Sequence, residues 1–363
     1  DRNHCPCSIF RLPLLPLRCY KMTPGDSRPA GADLLSAYWL PYFFLGLLLA
    51  GGLLPGGSGA AMSLLLLLVF LVGDQVFSDE GERRPASLPQ ALLQAVPRLY
   101  VPLQVGSILW ATTIAAAQAT GAWHFAGLVL AVGCSGGIFG MLMAHELIHS
   151  RRRFDRGLGL AMLIALSCPQ LRIAHLHGHH RHAATPFDPA TARRGEGAYA
   201  FALRSAIGQL RFAWNHERPR SWRRNRALTG LGAVALLYLG SGLALGPRAL
   251  LFLGLQSLLA IFILELFNYV AHYGLERRQR DDGSYEPLGP QHSWNTMRRF
   301  NNWALLTSSG HSQHHAAPAR PYHQIKPTGI GPELPAGYAG SILLALLPSL
   351  WHRVMRQRLA ALD

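Results

Sequence analysis

The sequence predicts an all-α polytopic membrane protein of about six transmembrane helices, with a histidine-rich cap on the cytoplasmic side. Three observations carry this. Of 363 residues, 50% are apolar and only 15% are charged, where globular chains carry about a quarter. The apolar residues gather in blocks of bilayer-spanning length, about 20 helical residues each. The net charge is +15, and the basic residues are segregated into polar segments between pairs of blocks. Disordered and collagen-like chains are excluded by the same composition.

Six apolar blocks predict spans near Leu34–Leu54, Ser58–Phe77, Leu99–Thr120, Trp123–Ala144, Leu228–Leu245 and Leu250–Val270. They form three hairpins. The turns Pro55-Gly56-Gly57-Ser58 and Thr120-Gly121-Ala122 carry no charge, and Gly246-Pro247-Arg248 carries one. Of the 34 basic residues, 33 lie on the other side. The positive-inside rule then places both termini and all large loops in the cytoplasm, for a multi-pass protein of the cell inner membrane. Asp74, Gln75 and Glu265 interrupt individual blocks and are expected to face other helices. Residues 1–33 read as a tail, and 34–363 as a single domain with its cap at 145–227 and 271–363.

Two further apolar stretches are not expected to span. Leu158–Cys168 is 11 residues long, suiting a helix buried under the cytoplasmic face or lying at the interface. Gly337–Trp351 contains Pro348, and a seventh crossing there would send Arg353, Arg356 and Arg358 to the wrong side, so an interfacial helix is expected. Tyr199–Trp214 mixes aromatic and leucine residues with Arg204 and Arg211, as a surface-lying amphipathic helix does. Cys5, Cys7, Cys19, Cys134 and Cys168 show no disulfide spacing. The stretch from Asp1 to Lys21 reads as lying upstream of a translation start at Met22, or else as a disordered tail. The basic charge is accompanied by no aromatic-interleaved repeat, zinc finger or RNP motif, so no nucleic-acid partner is expected.

The 17 histidines matter through their positions. His145-Glu146-Leu147-Ile148-His149 prolongs the fourth span to its cytoplasmic mouth, where residues four apart share a helix face and two imidazoles can reach one ion. By itself this spells a zinc-protease motif with Glu146 as general base. The second group, His175-Leu176-His177-Gly178-His179-His180-Arg181-His182, has five histidines in eight residues, and the third is His311-Ser312-Gln313-His314-His315. Singly, each also reads as a solvated histidine run. Three such groups on one side of a membrane, beside spans able to bring them together, point to metal. Neutral imidazole suits iron, copper, nickel or zinc, and eight or more histidines exceed one coordination shell, so two metals are implied. His272, in Asn268-Tyr269-Val270-Ala271-His272-Tyr273-Gly274-Leu275, ends the sixth span, either as part of an interfacial belt or as a further ligand.

HELIHS, HLHGHH followed by ATPFDPATARRGE, NYVAHYGL, QHSWN and HSQHHAAPARPY, in that order, resemble the integral-membrane alkane hydroxylases. The likeness is to the alkane 1-monooxygenases and xylene monooxygenases, within the membrane fatty acid desaturase-hydroxylase superfamily. It runs from about Leu34 to the C-terminus and is weakest over the first three spans. It implies a non-haem di-iron centre, two iron ions held by His145, His149, His175, His179, His180, His272, His311, His314 and His315. It also implies a hydrophobic small-molecule substrate, O2, electrons from rubredoxin or a similar carrier, and oxygen insertion into a terminal methyl group. Glu146, as a ligand-orienting or proton-handling group, and His292, before Ser293-Trp294-Asn295, are the candidate catalytic residues.

The chain departs from that pattern at Ala174 and Ala271, where the family usually has Glu, and at Gln313, which replaces an Asp. Such carboxylates commonly orient ligand imidazoles. His177 and His182 read as surface histidines or as substitute orienting partners; His4, His124, His216, His323 and His352 are ordinary. The basic runs Arg151–Arg153 and Arg218–Arg226 suit anionic membrane lipid and the docking of an acidic electron carrier. Methyl-aromatic hydroxylases and fatty-acid desaturases share the three histidine boxes. A membrane zinc protease would leave two boxes unexplained, and a metal transporter needs polar ligands within the spans, scarce apart from Asp74 and Glu265.

Overall fold

The computed structural model describes residues 38–54, 58–77, 89–296, 298–306, 310–325 and 330–362. The tail 1–33, with Met22, Cys5, Cys7 and Cys19, and the turn residues Pro55-Gly56-Gly57 lie outside the described residues. The protein is all-α: among the described residues there is no strand, only the isolated bridges Gln279 to Tyr285, Asn295 to Glu333 and Pro335 to Gly337. In chain order the helices are α1 (Leu40–Leu53), α2 (Ser58–Val76), α3 (Gln90–Ala116), α4 (Ala122–Ile148), α5 (Arg153–Ala165), α6 (Ala198–Glu217), α7 (Arg226–Leu245) and α8 (Pro247–His272). The shorter α9 (Arg299–Ala304), α10 (His311–Ala316), α11 (Gly337–Ala345) and α12 (Pro348–Ala360) follow.

Five of these, α2, α3, α4, α7 and α8, are long and apolar enough to cross a membrane. α1 is equally apolar, but its 14 described residues reach only about 21 Å. Helices α4 and α8 form the centre: α4 packs on α1, α2 and α8, while α8 also meets α3, α6, α7 and α11. In α4, 61% of the apolar window is buried within the protein, against 6% in α7, so α4 is an interior helix and α7 a peripheral one. Glycines allow the central contacts. A Cβ on Gly137 of α4 would stand 2.9 Å from Ala260 Cα and Ile263 Cβ of α8, and one on Gly59 of α2 would stand 2.5 Å from the Gly127 carbonyl oxygen. The hairpin between α7 and α8 turns at Gly246, whose φ of 84° favours glycine, and Pro247 opens the next helix.

Helix α3 begins at Gln90, well before the apolar run at Leu99, and continues through Pro97 and Pro102. A proline inside a helix leaves the carbonyl four residues earlier without its donor. For Pro97 that carbonyl belongs to Leu93, and the Tyr322 hydroxyl donates to it at 2.9 Å. Arg98 makes a paired bond to Asp155 of α5, at 2.7 and 2.9 Å. The stretch Leu158–Cys168 lies largely within α5, packed on α3 and α4. Gly337–Trp351 is divided between α11 and α12, with Pro348 starting α12 and Trp351 enclosed against Tyr269 and Tyr273. Helix α6 covers Tyr199–Trp214 and leaves Tyr199, Leu203, Ile207, Leu210 and Trp214 exposed along one face.

Candidate metal centre

Four segments bring histidines together at the ends of α4 and α8. His145 and His149 come from the last turns of α4, His272 ends α8, and α10 contributes His311, His314 and His315. The fourth segment is a helical run from Leu171 to His182 whose middle, Ala174–His179, is a π turn. In a π turn the bonding reaches five residues on instead of four. His180 therefore swings over His175, and their Nε2 atoms are 3.0 Å apart. Another π turn, Gly136–Gly140, widens α4 just ahead of His145.

The nine histidines named from the sequence fall into two adjoining groups: His145, His149, His175, His180 and His314, and His179, His272, His311 and His315. Within each group the candidate ligand atoms lie within 4.8 Å of one another. In the first, the Nε2 atoms of His149, His175 and His180 form a triangle of 3.0, 3.0 and 3.2 Å, with His314 Nε2 3.2 Å from His180. In the second, His311 Nε2 is 2.9 Å from His272 and 3.1 Å from His315. The rings of His180 and His315, one from each group, are 4.9 Å apart.

Hydrogen bonding cannot account for this packing. A neutral imidazole nitrogen either donates or accepts, so three Nε2 atoms in a triangle cannot satisfy all three contacts as hydrogen bonds. Protonation is opposed as well: burial first, then the neighbouring histidines, pushes His149 and His180 down to about 2, and burial holds His175, His311, His314 and His315 well below the ordinary histidine range. Neutral rings with lone pairs converging on a point are the donor set of a transition-metal cation, so the residues present fit a pair of metal ions.

Asp188 is a participant to which the sequence reading gave no role. Its Oδ2 lies 2.8 Å from His179 Nδ1 and also accepts from the Thr191 hydroxyl, while Oδ1 accepts from the Ala190 amide. Burial works against the carboxylate, but His179 and these donors hold it at about 2. The result turns His179 Nε2 into its group. The signal was present in Pro186-Phe187-Asp188-Pro189, an Asp-containing turn. By contrast, the Nδ1 atoms of His180 and His315 are buried without a partner among the described residues.

The remaining candidates lie outside both groups. Glu146 accepts from the Tyr322 amide at 3.1 Å and lines a cavity of about 270 Å³ with His149, Arg98, Asp155, Tyr322 and His323. His292 bonds the Gly289 amide through Nδ1 and lies 3.1 Å from Glu286 through Nε2, shaping its own loop. The backbone of His292 bonds His272, and the residues after it also tie into the site. Trp294 N–H donates to the Ala271 carbonyl at the end of α8, and Asn295 Oδ1 accepts from Ser312 N–H at the start of α10. His177 stacks on His216, and His182 lies beside Phe187.

A second cavity, of about 110 Å³, reaches both groups: His145 and His175 of one and His179 and His311 of the other are in its wall. The rest of the lining is largely apolar, from Ile138, Met141 and Leu142 of α4 and from Leu264 and Phe267 of α8, with Gln209 and Asn268 also in the wall. A polar head of imidazoles thus stands over an oily pocket between the two central spans.

This fold and these histidines define a membrane oxidoreductase of the fatty acid desaturase class, whose family model matches residues 121–342 and takes in all nine histidines. Alkane 1-monooxygenase 2 of Pseudomonas aeruginosa is 35% identical over 309 residues, 82% of each chain. Alkane 1-monooxygenase 1 of the same organism is 34% identical over 306 residues, 81% of this chain and 80% of its own. The xylene/toluene monooxygenase hydroxylase component of Pseudomonas putida is 27% identical over 238 residues, 63% of each. The chain belongs to the alkane hydroxylase family, as an oxidoreductase similar to the alkane 1-monooxygenases.

Proposed function

We propose that the protein is a non-haem di-iron monooxygenase that hydroxylates a terminal methyl group of an alkane or similar hydrophobic molecule. It would consume O2, two electrons from a rubredoxin-type carrier and two protons, and release the alcohol and water. The observation that carries this reading is the cavity between α4 and α8, whose wall joins histidines of both groups to an apolar lining. An alkane has no polar handle, so shape and apolar burial are its means of recognition.

The groups of five and four histidines would hold one iron ion each. The chemistry that bound iron would supply is activation of dioxygen. The chain's own part is positional: Asp188 sets the tautomer of His179, Asn295 anchors α10 under His311, and the apolar walls exclude water and aim a methyl group at the histidine end. Glu146, which lines the larger cavity with His149, would hold a proton near the centre. The distribution of basic residues supports an inner-membrane location with the histidine face in the cytoplasm. The likeness to the xylene/toluene component favours a methyl-aromatic molecule as the alternative substrate.

The test uses purified protein in lipid nanodiscs, loaded with iron and supplied with rubredoxin, its reductase, NADH and O2. Octane, xylene and an acyl substrate are offered separately. Two irons per chain and octan-1-ol as product are expected. An aromatic alcohol alone would move the substrate to the xylene type, an alkene would make the enzyme a desaturase, and one zinc with no oxygenated product would remove the proposal. A single cysteine at Gly121 labelled from outside intact cells, and one at Arg220 labelled only after permeabilisation, would support the orientation.

A further inference from the structure

Beside the apolar cavity, three polar residues are joined in an arrangement that hydrocarbon recognition does not require. Glu265 lies in the membrane-spanning part of α8 and is only 2% exposed. Gln209 Nε2 of α6 donates to its Oε1 at 2.7 Å, and Asn268 Nδ2, one turn along α8, donates to its Oε2 at 3.2 Å. Gln209 Nε2 also donates to the Ser205 hydroxyl at 2.9 Å. Both Gln209 and Asn268 line the cavity, as do His145, His175, His179 and His311.

The chemistry of a carboxyl group orients the two amides. Its oxygens draw the NH2 ends toward Glu265, which leaves each side-chain carbonyl as the unused end. Among the described residues, neither Gln209 Oε1 nor Asn268 Oδ1 takes a hydrogen bond, and neither is among the enclosed unpaired atoms. What the amides can offer a cavity occupant is therefore a pair of acceptors. An alkane cannot use them. A primary alcohol can, because its O–H is a donor attached to an otherwise apolar chain.

We propose that Gln209 and Asn268, held by Glu265, form a hydroxyl-binding position that gives the cavity a preference for alkan-1-ols over the matching alkanes. The inference rests on the reading of this cavity as the hydrocarbon site. It makes the product alcohol a better ligand than the substrate, so its release would be slowed by the same contact. Glu265 is a positioning residue: it touches neither ligand and acts by fixing which end of each amide is presented.

Equilibrium binding to the iron-loaded, unreduced enzyme in nanodiscs tests this without turnover. The probes are octan-1-ol, octane and 1-fluorooctane, measured in wild type, Asn268→Leu, Gln209→Met, the double variant of these two, and Glu265→Gln. Comparing each ligand between variants in the same lipid cancels its partitioning into the bilayer. One neutral hydrogen bond corresponds to roughly a 3- to 10-fold change. The hydroxyl has one proton to share between the two carbonyls, so Asn268→Leu and Gln209→Met are each expected to weaken octan-1-ol by up to that factor and the double variant by the whole of it, with octane and 1-fluorooctane unchanged or tighter. Glu265→Gln, which frees the amides to turn, is expected to lose part of the same preference. If Asn268→Leu fails to fold, Gln209→Met carries the same selectivity reading. Equal weakening of alcohol and alkane, or no change in either, would overturn the proposal. Failure of octane to bind the wild-type protein would instead overturn the reading of the cavity on which it rests.

Discussion

Asp188 Oδ2 lies 2.8 Å from His179 Nδ1, and the carboxylate is enclosed between that ring, the Thr191 hydroxyl and the Ala190 amide. This contact fixes the His179 tautomer with its lone pair on Nε2. Loss of such an orienting carboxylate commonly costs 10- to 100-fold, as an order of magnitude, in metal affinity. Asp188→Asn keeps an acceptor for the ring N–H and is expected to lower metal affinity by about 10-fold. Asp188→Ala removes it and is expected to lie near 100-fold. Metal titration of the purified variants, read against their thermal stability, checks the order; equal affinities in all three proteins would show that the tautomer is set elsewhere.

Asn295 ties the loop before α9 to the third histidine group. Its side-chain oxygen accepts from Ser312 N–H, its own N–H donates to the Pro332 carbonyl, and its carbonyl receives Leu334 N–H. Asn295→Ala leaves the buried Ser312 amide without a partner, a cost of about 1–3 kcal/mol. Because α10 carries His311, His314 and His315, both groups should loosen together. The expected result is loss of both metals in parallel under a chelator challenge, faster than in wild type. Loss of one metal alone would show that α10 is held independently of Asn295.

Much of this arrangement is legible in the sequence, and the exceptions have physical causes. The apolar blocks reveal the spans because lipid tolerates few charges, and the spacing of three and four picks out the histidines of α4 and α10. The division between the two groups is not legible. His179 and His180 are neighbours in sequence yet belong to different groups, because a π turn sets their directions and no periodicity announces one. Likewise His314 leaves His311 and His315 to join the other group. The early start of α3 is hidden because the apolar run begins only at Leu99, after Pro97 and Arg98, whereas Tyr322, far along the chain, supplies the donor that the freed Leu93 carbonyl needs. Asp188 is hidden for a similar reason: its turn is local, but its purpose depends on which ring faces it.

Glu217, at the end of α6, anchors the junction with α7. Its enclosed side chain bonds Arg226 through Nε at 2.9 Å and through the second guanidinium nitrogen at 2.5 Å, and Arg220 lies 3.2 Å away. Burial alone would raise its pKa, but the hydrogen bonds and charges of Arg226 hold it at about 2, below the ordinary 4.5. A depressed carboxylate pKa contributes stability that is complete above 4.5 and fades as pH falls toward about 2. Glu217→Gln should cost about 1–2 kcal/mol at pH 7, less than a fully enclosed pair would, because Arg226 is 38% exposed. Thermal unfolding of both proteins between pH 7 and pH 3 checks the sign: the gap in Tm should narrow on acidification, and a constant gap would assign the effect to packing.

Gly137 sits in the π turn of α4 where that helix meets α8. A Cβ there would stand 2.9 Å from both Ala260 Cα and Ile263 Cβ, and 3.0 Å from the Ala260 carbonyl oxygen. Two of those three atoms are backbone, so they cannot rotate aside, and the spans must separate. Gly137→Ala is expected to cost about 1–3 kcal/mol through overpacking. The displacement would also reach the cavity, since Gly137 lines it and α4 and α8 supply most of its apolar wall. The methyl group of an alkane would then be held less closely at the histidine end, and a small positional error lowers rate more than affinity. The expected outcome is a fall in kcat of about 10-fold or more with KM changed less than 3-fold, orders of magnitude based on such misplacement. Gly59→Ala, which crowds α2 against α4 away from this cavity, should lower Tm without that kcat effect. Equal kinetics in the two variants would show that the α4 to α8 spacing does not control substrate placement.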